Sequence, residues 1–127
     1  MAGQSPGLTK AFIAVAAISA HRIVALAAAD DRVQAAANGN DDAIGVTTEI
    51  GAAADETVDV CLDGIRDVQF GGAVGRGKFV MAGPDGKAVL ATAAAGANVR
   101  YVGYTLFQAA DGDIGPIKIQ PGMLQGA

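Results

Sequence analysis

The sequence predicts an all-β domain: a small β-barrel built from an internal duplication of hairpin units, with flexible termini. Three observations carry that expectation. Among 127 residues there are 28 Ala and 18 Gly but only 2 Tyr, 4 Phe and no Trp, so the bulk of any core must come from Val, Ile and Leu and the core must be thin. Thr57, Asp59, Cys61 and Asp63 alternate with Val58, Val60 and Leu62, the period of two of a strand with one wet and one dry face. A phrase running from Ala20 to Gly64 returns between Arg76 and Gly122.

The elements follow in order. Residues 1–9, with Gly3, Ser5, Pro6 and Gly7, read as a flexible arm ahead of a single β domain over residues 10–122. From Lys10 to Ala37 the Ala content favours one long helix, and the competing reading is strands at Phe12–Ile18 and Arg22–Ala27, a turn at Asp30-Asp31, and a short strand at Arg32–Ala36. The repeat decides for strands over the second part of this segment. Arg22-Ile23-Val24 aligns with Lys78-Phe79-Val80 at an offset of 56, and Ile44-Gly45-Val46-Thr47 aligns with Val102-Gly103-Tyr104-Thr105 at 58. In the second copy Gly83-Pro84-Asp85-Gly86 separates Phe79-Val80-Met81 from Ala88-Val89-Leu90, and no helix continues through such a turn. Asp30-Asp31 then marks the equivalent turn in the first copy.

Further along, Ala37–Asp42 and Ala91–Ala97 are loop-like in composition. Val99–Phe107 reads as a strand covered on both faces, and Ile114–Gln120 as a strand whose Pro116 suggests an edge or bulge. Residues 123–127 form a C-terminal tail.

Composition excludes several chemistries. One Cys, Cys61, and one His, His21, allow no intrachain disulfide and fall short of a His/Cys zinc site. A net charge of −4 and the lack of a basic run argue against nucleic acid as a partner. The apolar stretch Ala11–Ala29 is split by His21-Arg22, which argues against a membrane span or a cleaved leader.

The acidic pairs Asp30-Asp31, Asp41-Asp42 and Asp55-Glu56 suit turns, and Asp111-Gly112-Asp113 is only a fragment of a calcium loop, so no metal and no cofactor are expected. His21 beside Arg22, with Ser19 two residues earlier, reads as a loop or interface residue rather than a base, and Cys61 as a small inert side chain. Gly71-Gly72-Ala73-Val74-Gly75-Arg76-Gly77-Lys78 imitates a phosphate loop but leads into an apparent strand, so it reads as a connector with Arg76 and Lys78 exposed. No catalytic residue is assigned, and a binding or structural subunit becomes the leading class.

The paired phrases Ile44-Gly45-Val46 and Val102-Gly103-Tyr104, each followed by an Ala-Ala-Asp loop at Ala53-Ala54-Asp55 and Ala109-Ala110-Asp111 and then a strand, carry a resemblance over nearly the whole chain. Gly77-Lys78-Phe79-Val80 and Asp85-Gly86-Lys87-Ala88 fit it too. The sequence resembles the small Ala/Gly-rich capsid decoration, or cement, proteins of tailed bacteriophages. That resemblance implies a barrel or tulip-like domain, made in the host cytoplasm, that binds the outer surface of the assembled head. It implies major capsid protein as the partner, bridged by homotrimers, and no enzymatic activity. A head–tail or tail-tube component, or a carbohydrate-binding accessory barrel, is the alternative.

Flexibility and side-chain size then select Gln4, Ser5, Leu8, Lys10, Phe12, Arg66, Arg76 and Lys78 as candidate capsid contacts. Phe70, Phe79, Tyr101, Tyr104 and Phe107 are the candidate core or subunit-interface residues.

Overall fold

The computed structural model describes residues 8–126 and the backbone of residues 5 and 6. Eleven strands account for nearly all of its regular structure: β1 Ser5–Pro6, β2 Thr9–Ala14, β3 Ile23–Leu26, β4 Arg32–Ala35, β5 Ala43–Thr47, β6 Thr57–Cys61, β7 Gly64–Gln69, β8 Phe79–Ala82, β9 Ala88–Leu90, β10 Asn98–Thr105 and β11 Ile114–Gln125. Strands β2-β4-β3-β5-β6 close into a barrel, and the others form a six-stranded sheet in the order β1-β7-β11-β10-β8-β9.

The helix favoured by the Ala content of residues 10–37 does not form. Alternation decides the outcome: Phe12, Ala14, Val24, Val33, Val58 and Val60 point into the barrel as one buried cluster, which a strand period delivers and a helical period would scatter. Strand β2 ends at Ala14, short of the expected Ile18, which instead makes an isolated bridge to Ala52.

The second sheet has the barrel's strand order. Neighbours β4-β3-β5-β6 are matched by β9-β8-β10-β11, while β7 lies antiparallel to β11 as β2 does to β6. The barrel closes through the parallel pairs Ile13–Arg32 and Ala14–Val33, whereas β7 reaches β9 only through a parallel bridge at Phe70–Ala88. Backbone bonds repeat at near-constant spacing. Ile18 and Ala52 exchange both bonds, as do Val74 and Ala109. Asp55 N–H bonds the Ala14 carbonyl, and Gly112 N–H bonds that of Phe70.

Two threonines tie the same corner of each unit. Thr47 Oγ1 donates to the Ser19 carbonyl at 2.9 Å and accepts the Arg22 N–H at 2.9 Å, while Thr105 Oγ1 donates to Gly75 at 2.6 Å and accepts from Lys78 N–H at 3.1 Å. Both threonines are buried, so removing the hydroxyl leaves a backbone N–H and a carbonyl without their partner. Thr47→Val and Thr105→Val are each expected to cost about 1–3 kcal/mol in urea unfolding, by similar amounts because the corner is the same.

The correspondence begins at β2 and β7, earlier than the phrase starting at Ala20. Strand β7 itself is an element the sequence did not announce. Arg66, half-buried, is paired directly across from buried Ile117 and interrupts the apolar alternation that Val68 and Phe70 continue.

The carboxyl end also differs from expectation. Strand β11 runs past Gly122 to Gln125, because residues 122–125 find partners in Asn98–Tyr101, and so residues 123–125 belong to the sheet. At the other end Ser5 and Pro6 pair with Ile65 and Gly64, occupying part of the β7 edge. Residues 1–4 and 7 of the expected arm, and residue 127 of the tail, lie outside the described residues.

The expected turns are present. The loop from Pro84 to Gly86 is a single tight turn with Asp85 at φ 60° and Gly86 at φ 70°, and Asp31 takes φ 60° in the equivalent hairpin. Asp accepts this left-handed conformation better than most side chains, which is why acidic residues mark both turns.

Candidate interaction surface

The two units are joined across one face of the barrel. Ile23, Val46 and Cys61 lie side by side on β3, β5 and β6, facing away from the barrel interior, and all three are fully buried. They belong to one apolar cluster with Val68, Phe70, Val80, Val102, Ile117 and Ile119 of the second unit. The face of Cys61 that alternation marks as wet is therefore dry, because a neighbouring unit covers it.

At the rim of this junction Arg22 Nη1 donates to Gln69 Oε1 at 2.6 Å and to the Ala20 carbonyl at 3.0 Å, while its Nε lies 3.5 Å from Asp85 Oδ2. Gln69 N–H donates to the His21 carbonyl at 2.9 Å, and His21 Nδ1 lies 3.3 Å from the Asp67 carbonyl. His21 is thus a junction residue held at φ 57°.

The counterpart row on the second unit is open. Phe79, Tyr104 and Lys118 are direct cross-strand neighbours on β8, β10 and β11, at the positions that Ile23, Val46 and Cys61 hold in the barrel. Phe79 is 41% exposed, and Tyr104 and Lys118 are half-buried. Tyr101 stacks on Phe79 at 4.2 Å between ring centroids, and Tyr104 meets the same ring edge-on at 6.4 Å. Half of the six Phe and Tyr residues in the chain are gathered here.

Charge is divided unequally. Residues 1–63 carry three Lys/Arg against nine Asp/Glu, a formal −6, whereas residues 64–127 carry six against four, a formal +2. Arg76 and Lys78 are exposed, and Lys78 directly precedes Phe79 in the chain.

The expected site residues separate into different places. Gln4 and the Ser5 side chain lie outside the described residues. Leu8 is 63% exposed, with its carbonyl accepting the Leu62 N–H at 2.8 Å. Lys10 lies 4.4 Å from the Phe12 ring centroid and 3.4 Å from Asp31 Oδ1. Phe12, expected as a surface contact, is instead buried in the barrel, since it falls on the inward register of β2 opposite Val58. Phe70 and Phe107 are core partners packed edge-to-face at 5.5 Å, while Phe79, Tyr101 and Tyr104 form the partly exposed row. Sequence reasoning missed Gln69 and Asp85 as the partners of Arg22.

Lys118 is anchored by Asp63, 3.2 Å away. The Gly64 N–H, bonded at 2.7 Å, and then Lys118 hold the Asp63 carboxyl below its ordinary value of 3.8. A depressed carboxyl adds stability above its unfolded value and loses it as pH falls through the folded one. Asp63→Asn is therefore expected to flatten slightly the loss of stability below about pH 4, read by thermal melts across the acid range.

Among the described residues no cluster of three or more His, Cys, Asp or Glu is placed to hold a metal, and no helix is long and apolar enough to cross a membrane. What the geometry offers is two like β units with broad faces, the makings of a structural binding module. Comparison with known proteins makes this specific. The family model described as phage cement protein matches residues 4–119. The chain belongs to that family, and it is a non-enzymatic structural protein of the phage virion.

No curated protein matches the sequence. Among solved structures, the chain is similar to the N base of the head fiber gp8.5 of bacteriophage phi29, with a TM-score of 0.65 at 20% identity over 89% of this chain and 93% of that one. At that identity the likeness speaks for the fold.

Proposed function

We propose that this protein decorates the outer surface of the assembled phage head and stabilises it by bridging major capsid protein subunits as a homotrimer. The observation that carries this reading is the cement-family match across residues 4–119. The structure supplies consistent physics. A decorating protein gains little from any one contact, but many copies spanning many joints convert a modest free energy per site into a large resistance to rupture.

The amino-terminal segment with Gln4, Ser5 and Leu8, together with the exposed Arg76, forms the proposed capsid contact, and Arg66, half-buried on the inward register of β7, stands behind it rather than in it. The two β units, which share strand order and corner bonding at offsets of 56 to 58, are read as one hairpin-rich unit used twice. Duplication doubles the span of the module without enlarging either core, which suits a protein that reaches across a subunit joint.

The reading is tested by heating DNA-filled heads with and without the purified protein. Decorated heads are expected to release DNA at a higher temperature, and release at the same temperature would refute stabilisation.

A further inference from the structure

We infer that the open aromatic row Phe79–Tyr104–Lys118 is the docking surface for a second copy of this chain, which it meets head to tail through the Lys10–Ile13 edge and Asp31 turn of that copy's barrel. A contact of this kind is already made inside the chain. There, the row Ile23–Val46–Cys61 of the first unit is covered by the second unit, with Gln69 at the end of β7 and the Asp85-Gly86 turn gripping Arg22 at its rim. Phe79–Tyr104–Lys118 occupies the same three register positions on a sheet of the same strand order, yet Phe79 remains 41% exposed.

The gripping elements also have counterparts, and these lie on the first unit. Ile13 corresponds to Gln69, and the Asp30-Asp31 turn corresponds to Asp85-Gly86, with Asp31 and Gly86 sharing a positive φ. A surface depression of about 270 Å³ lies at that place, lined by Lys10, Ala11, Phe12, Ile13, Asp31 and Thr57. It is smaller than the roughly 300–1,000 Å³ of small-molecule clefts and open to solvent, which suits an inserted side chain better than a ligand.

Charge fits the same pairing. Lys78 stands where Arg22 stands, since both backbone N–H groups bond the corner threonine, and Asp30-Asp31 stands where Arg22 finds Asp85. A head-to-tail contact would therefore bring an exposed Lys to an acidic turn and set the +2 half of one copy against the −6 half of the next. Two differences from the internal contact limit its form. The residues that cover Ile23–Val46–Cys61, among them Val68, Phe70, Val80 and Ile117, have their counterparts Phe12, Ala14, Val24 and Val60 inside the closed barrel, so only the rim of that barrel is free to meet the row. Ile13 N–H is already bonded to the Asp31 carbonyl, so the contact between copies is made by side chains, without the backbone bond that Gln69 makes to His21. A head-to-tail contact uses two different surfaces, and it closes into a ring or runs on as a filament according to its rotation. It supplies the copy-to-copy contact that the proposed homotrimer requires, and it stands or falls separately from capsid binding.

The test is sedimentation of the full chain over a range of concentrations, for the wild type, Phe79→Glu and Asp31→Lys, with circular dichroism melts to show that each is folded. The wild type is expected to self-associate, less at high salt, and Phe79→Glu to weaken association by about tenfold or more. Mixing the two variants is expected to restore one contact and give 1:1 dimers, because each retains the surface that the other lacks. A wild type that stays monomeric, or a Phe79→Glu chain that associates as well as the wild type, would overturn the inference. Association destroyed by Phe79→Glu but not rescued in the mixture would overturn the head-to-tail pairing. Heads decorated by a strictly monomeric protein would sink this inference and leave the capsid reading intact.

Discussion

Phe70→Ala is expected to lower the free energy of unfolding by about 3–5 kcal/mol, a large share of the roughly 5–15 kcal/mol typical of a domain. Phe70 is fully buried, packs edge-to-face with Phe107, and stands where β7 bridges to β9. It belongs to the cluster shared by both units, so the cavity would open at their junction rather than in a peripheral hairpin. The barrel shows how the loss could be relieved. At the positions of Val68 and Phe70 it has Phe12 and Ala14, the large and small residues in exchanged order. Val68→Phe added to Phe70→Ala returns most, though not all, of the side-chain volume lost, and the double variant is expected to recover part of the loss in urea denaturation, because cores tolerate exchanges that nearly conserve volume better than holes. Recovery would also show that the two units obey one packing plan.

Gly103→Val is expected to cost about 3 kcal/mol or more. Any Cβ at Gly103 would run into the Lys118 carbonyl of the adjacent strand, and backbone cannot step aside as a flexible side chain can. Gly45 is in the same position against the Cys61 carbonyl, so Gly45→Val should cost a comparable amount. Gly77→Ala separates this effect from ordinary glycine strain. Gly77 has a φ of 74° and open space around its missing Cβ, so its replacement is expected to cost only about 1 kcal/mol. Equal costs at Gly77 and Gly103 in thermal or urea unfolding would show that close strand approach is not what Gly103 provides.

Much of the fold was legible where local chemistry and repetition agreed. Pro84-Asp85-Gly86 announced its turn, and the offset to Asp30-Asp31 carried that turn into an Ala-rich segment whose own propensity pointed to a helix. Strand β7 was illegible because Arg66 falls on its inward register and masks the alternation of Val68 and Phe70. Without β7, the correspondence between β7 and β2 could not be drawn.

The surfaces were less legible than the fold, since burial on the outer wall of a barrel depends on what lies against it. Cys61 alternates with acids like a solvent-facing residue yet is fully buried, and Phe79, a residue whose size suits a core or an interface equally, is 41% exposed. Both follow from one fact that no local pattern contains: the first unit's outer face is covered by the second, while the second unit's is not.

Decoration of the head is read most directly by a saturation titration of undecorated heads with the purified chain. Decoration predicts saturable binding at many copies per head, in proportion to the repeated sites of the icosahedral shell. No binding, or occupancy of a single vertex, would contradict it.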